Sequence, residues 1–92
     1  MGKIQVLLVD DELEYAETLS DRLADDEIDS RVASSGEEGL EALERDPPDV
    51  MVLDLRMPGM GGMDLLERVR RDHPEVQVVV LTGHGGKERE QE

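Results

Sequence analysis

The chain has 92 residues, one tyrosine, no cysteine, tryptophan or phenylalanine, and 37% apolar residues against the ~45–50% usual for globular domains, so it has the means for one small domain with an aliphatic core. Its net charge of −14 disfavours nucleic acid and anionic membranes as direct partners, because phosphate attracts cationic surfaces, and leaves cations and basic protein surfaces as the natural ones. No apolar run reaches the ~18–20 residues of a membrane span, the N-terminus lacks a signal-peptide pattern, and the absence of cysteine agrees with a cytoplasmic location.

The first predicted element is a strand over residues 4–9, an aliphatic run through Val6, Leu7, Leu8 and Val9 that stops at Asp10, Asp11 and Glu12. Leu13, Ala16, Leu19 and Leu23 then recur at spacings of three or four, which predicts an amphipathic helix over about residues 12–26, capped by Asp10 or Asp11. Residues 30–33 read as a short strand at a sheet edge, where the charge of Arg31 is tolerated. A second helix follows. Ser34 with Glu37 and Ser35 with Glu38 both have capping-box spacing, Leu40 and Leu43 form its inward face, Gly36 and Gly39 weaken it, and Asp46, Pro47 and Pro48 stop it.

The most informative stretch comes next: Val50, Met51, Val52 and Leu53 form an apolar run that ends on Asp54 and breaks into a turn containing Pro58, Gly59, Gly61 and Gly62. Four apolar residues in a row suit a strand buried on both faces of a parallel sheet. Met63, Leu66 and Val69 mark a third helix over residues 63–71, and residues 76–81 form a fourth strand that ends at Thr82 and Gly83. Met57, Met60 and Met63 are expected to fill gaps in the core. From Gly83 onward the chain is polar. Strands alternating with helices predict an α/β fold with a parallel sheet and helices on both faces.

In such folds ligands bind beyond the carboxyl ends of the strands. Asp10, Asp11, Asp54 and Thr82 all lie at such ends. One aspartate serves as a turn former or a helix cap, but several carboxylates packed together repel unless a cation joins them. A hard oxygen donor set without a calcium-type loop suits Mg²⁺, which keeps waters and accepts phosphate oxygens. One carboxylate could then attack phosphorus while the Thr82 hydroxyl holds a phosphate oxygen.

With this pattern the chain resembles the receiver domain of two-component response regulators, over residues 3–85. The resemblance implies a flavodoxin-like, doubly wound parallel sheet in the order 2-1-3-4. It implies Mg²⁺ held by Asp10, Asp11, Asp54 and the backbone carbonyl of Arg56, a phosphoryl group accepted by Asp54 from a histidine kinase, and phosphate contact by Thr82. Met57, Pro58, Gly61 and Gly62 match the family's turn after the phosphoacceptor.

A complete receiver adds a fourth helix, a fifth strand ending in a Lys-Pro pair and a fifth helix, none of which follows here. Lys87 lies in a polar stretch and takes no phosphate-binding role. The expectation is a receiver domain over residues 1–85, truncated after the fourth strand, with a polar tail over 86–92. It would be at most an autocatalytic phosphoacceptor, impaired by the truncation; the alternative is an interaction module that keeps the scaffold without phosphotransfer. Residues 76–81, left at the sheet edge and almost wholly apolar, predict a homo-oligomer formed through the fourth strand. His73 and His84 carry no predicted chemistry.

Overall fold

A computed structural model of the protein describes residues 3–55 and 61–81. Its elements are β1 (Gln5–Val9), α1 (Leu13–Asp25), β2 (Asp29–Ala33), α2 (Gly36–Arg45), β3 (Val50–Asp54), α3 (Gly62–Asp72) and β4 (Gln77–Leu81). The four strands are parallel in the order β2-β1-β3-β4. This is the flavodoxin-like arrangement, with β1 and β3 at the centre and the chain's direction of winding reversing between them.

Strand alternation divides the core. Leu7 and Val9 of β1, Met51 and Leu53 of β3, and Ala33 of β2 pack with Leu43 of α2 and with Leu65, Leu66 and Val69 of α3. Most of these side chains are fully buried, each worth about 1.5–3 kcal/mol relative to exposure. The opposite face carries Leu8 and Val52, with α1 laid over it through Ala16 and Leu19; a cavity of about 10 Å³ remains beside Tyr15 and Leu81. That is room for about one water at most. α1 is thinly packed: only Ala16 is buried along its length, and Tyr15, the one aromatic residue, is 39% exposed.

Helix ends show how local chemistry sets the boundaries. Ser35 is the N-cap of α2 and its hydroxyl accepts the Glu38 N–H at 3.1 Å, while the Glu38 carboxylate accepts both the backbone N–H and the hydroxyl of Ser34 at 2.9 Å. Of the two serine pairings in the sequence, Ser35 with Glu38 is therefore the one that starts the helix. At the C-terminus of α1, Glu27 adopts a φ of 62°, and the Glu27 and Ile28 amides donate to the carbonyls of Ala24 and Leu23. This is a Schellman closure, with a glutamate where glycine is usual.

Two sequence expectations change in the folded chain. Gly39 is a packing residue in α2: a Cβ there would lie 3.1 Å from side-chain atoms of both Leu65 and Val9, so its small size lets the helix approach the sheet. Met63 does not fill the core. It is 52% exposed, and Leu65 takes the inward position, because the first turn of α3 buries Gly62 and rotates the apolar stripe past Met63.

β2 and β4 are the outer strands of the described sheet, as expected for β2. Val79 and Val80 on β4 are 48% and 37% exposed. No described helix is long and apolar enough to cross a membrane.

Candidate functional site

The site is assembled by strand register. Val9 pairs with Leu53, so the next residue on each strand, Asp10 and Asp54, meets the other at the carboxyl end of the sheet. Asp10 extends the ladder by donating its backbone N–H to Ala33 O at 3.0 Å, and Leu55 does the same on the other side by donating to Leu81 O at 3.2 Å. Both strand ends are thus held on two sides.

Asp10 also shapes the chain that follows it. One of its carboxylate oxygens accepts the Glu12 N–H at 2.9 Å, a two-residue side-chain turn of the kind aspartate favours. The expected capping role takes this form, since the N-cap position itself belongs to Glu12, whose side chain makes no cap hydrogen bond. The turn projects Asp11 outward, and α1 begins at Leu13 with the positive end of its dipole beside the carboxylates.

Asp10, Asp11 and Asp54 each place a carboxylate oxygen within 4.8 Å of the others. Asp10 is 4% exposed and Asp54 0%, whereas Asp11 is exposed. Carboxylate oxygens this close together could share one small hard cation, which Asp10, Asp11 and Asp54 would hold between them. The donor set is all hard oxygen, with exposed Asp11 at its edge. The residues fit Mg²⁺.

Burying carboxylates is costly and contributes little to a small core, so their convergence is better explained by function than by stability. Thr82 and Arg56, the other residues expected at this site, lie outside the described residues, as do Met57, Met60, His84, Lys87 and the tail over 86–92. His73, at the end of α3, donates its backbone N–H to Val69 O at 2.7 Å, and its imidazole is 3.8 Å from Glu75; it stands apart from the carboxylates. Among the described residues, Gly62 lies against the Asp54–Leu55 backbone, a placement that spacing alone did not reveal.

Comparison with known proteins agrees with this architecture. The family described as the response regulator receiver domain matches residues 6–92. The chain is 41% identical over 58 residues to the luminescence regulatory protein LuxO of Vibrio campbellii, covering 63% of this chain and 13% of that protein. It is 34% identical over 85 residues to the response regulator protein PilR of Pseudomonas aeruginosa, covering 92% of this chain and 19% of that one. A receiver domain structure from Clostridium thermocellum superposes with a TM-score of 0.81 at 32% identity, covering 94% of this chain and 70% of that chain. The chain therefore spans less than a fifth of the length of these two curated relatives. Since the family match runs through nearly the whole sequence and the strand order is the same, the chain belongs to the response regulator receiver domains of two-component systems.

Proposed function

We propose that this receiver domain accepts a phosphoryl group on Asp54, with Mg²⁺ held by Asp10, Asp11 and Asp54. The observation that carries this reading is the convergence of three carboxylate oxygens within 4.8 Å around a fully buried aspartate at the end of a central strand. Bound there, the ion supplies charge neutralisation and orientation for the transferring phosphoryl oxygens.

The chain's own residues do the rest. Asp54 provides the nucleophilic oxygen: its bond to phosphorus forms as the phosphorus–nitrogen bond of a phosphohistidine breaks, and the imidazole leaves with that bond's electron pair. Asp10, anchored by the Glu12 amide, holds its carboxylate in place through the transfer, and exposed Asp11 forms the rim through which the donor enters. By the family resemblance, Thr82 contacts the phosphate and the Arg56 carbonyl completes the metal ligands. Receiver domains of two-component systems partner with histidine kinases, and a histidine kinase is the donor proposed for this chain, whose proposed location is the cytoplasm.

The test is intact-protein mass after incubation with Mg²⁺ and a small phosphodonor. Wild type should gain one phosphoryl group and Asp54→Asn none. If wild type gains nothing, the alternative of a scaffold that binds partners without phosphotransfer takes its place.

A second proposal concerns assembly: the 92-residue chain self-associates through β4. Supporting it, β4 is an outer strand of the described sheet, carries no charged residue, and exposes Val79 and Val80. A two-fold antiparallel pairing would set this uncharged strand against its own copy, away from the acidic helices.

A further inference from the structure

We infer that Gly62 is a positioning residue for Asp54, acting through direct contact of backbone with backbone. Gly62 is the first residue of α3, one beyond the N-cap Gly61. A Cβ built on it would lie 2.4 Å from Leu55 Cα, 2.6 Å from the carbonyl oxygen of Asp54 and 3.0 Å from Leu55 C. All three are main-chain atoms, so no side-chain rotation relieves the overlap.

Backbone conformation does not demand this glycine. Gly62 lies outside the left-handed region, and a helical first-turn position accepts any residue except on steric grounds. Its glycine is explained by close approach alone. Carbon atoms rest about 3.5–4.0 Å apart, so a methyl group at position 62 would drive the start of α3 and the Asp54–Leu55 peptide apart by roughly 1 Å.

That peptide is the one whose position sets the site. Asp54 meets Asp10 through the β1–β3 register, and Leu55 holds the strand end to β4 through its bond to Leu81 O. Functional groups must be held within about 0.5 Å of productive geometry. The start of α3, seated on this peptide, is the stop that keeps Asp54 from withdrawing from Asp10 and Asp11.

The inference rests on the Mg²⁺ reading above, and two measurements separate their fates. Gly61→Ala is the control for adding a methyl group, because a Cβ there meets nothing within 4 Å. Val69→Ala is the control for loosening α3, since Val69 is fully buried two turns from Gly62. In metal-free protein, hydrogen exchange at the Leu55 amide should accelerate at least about tenfold in Gly62→Ala and stay near wild type in Gly61→Ala. In calorimetric titration with Mg²⁺, Kd should rise about 10–100-fold in Gly62→Ala and change less than about twofold in both controls.

Gly62→Ala should remain folded by circular dichroism, because Leu65, Leu66 and Val69 still anchor α3. An unfolded Gly62→Ala would overturn the local role proposed, as would unchanged Leu55 exchange, or a Val69→Ala that loses Mg²⁺ as severely. Wild type that binds Mg²⁺ while Gly62→Ala binds equally well overturns this inference alone. Wild type that takes up no Mg²⁺ overturns the metal reading and this inference with it.

Discussion

Asp10 and Asp54 face each other across the ends of β1 and β3, one residue beyond the pair Val9 and Leu53. Two carboxylates in that relationship, almost completely buried and joined by exposed Asp11, are the reason for the proposal that a cation binds here, and that proposal can be tested on the folded chain.

Metal should therefore be read out as stability. A ligand that binds only the folded chain adds about 2.7 kcal/mol at a hundredfold excess over Kd, and each kcal/mol raises Tm by roughly 4–8 °C in a domain of this size. Melts in millimolar Mg²⁺ should shift upward in wild type and barely move in Asp11→Ala. An equal shift in that variant would rule out the three-carboxylate site.

Glu27 holds a left-handed conformation at the end of α1, with φ of 62°. A side chain in that region costs roughly 1–2 kcal/mol, whereas glycine adopts it freely but loses more chain entropy on folding. Glu27→Gly should thus stabilise the domain by about 0.5–1 kcal/mol, seen as a higher urea midpoint with unchanged slope. A lower midpoint would mean that the side chain makes a compensating contact.

The cap of α2 provides a pH-dependent test. Its Ser34 partners hold the Glu38 carboxyl below its ordinary value of 4.5. A carboxyl whose folded-state value is depressed stabilises the fold above the unfolded value and loses that contribution as pH falls through the folded one. Wild type should be more stable than Glu38→Gln at neutral pH, with the gap closing below about pH 4. Ser35→Ala, which removes the acceptor for the Glu38 N–H, should cost about 1 kcal/mol at either pH. A gap for Glu38→Gln that persisted at low pH would exclude the carboxylate as its source.

Self-association through β4 predicts a concentration-dependent shift from monomer to dimer in sedimentation at tens of micromolar. Val79→Lys, placing a charge where the side chain is 48% exposed, should restore the monomer. A wild type that stays monomeric would refute the pairing, and a dimer indifferent to the substitution would place the interface elsewhere.

How much of this was legible in the residues follows from the range of the forces involved. Alternation of aliphatic runs with amphipathic helices announced an α/β domain, and the endings at Asp10, Asp11 and Asp54 announced the acidic cluster, because strand burial and strand termination are written in neighbouring residues. The strand order came with the family resemblance and was borne out by the pairing of β1 with both β2 and β3. Other features depend on distances between elements far apart in the chain. Spacing allowed Ser34 or Ser35 as the cap of α2, and folded geometry selected Ser35. Helical periodicity put Met63 inside, but in the folded helix Gly62, Leu65, Leu66 and Val69 form the buried face and Met63 is exposed. Gly39 looked like a weak point in a helix and is instead where α2 comes close to Val9 and Leu65. Composition and periodicity determine which surfaces must be buried; only the packed structure decides how closely they approach, because that depends on atoms contributed by several elements at once.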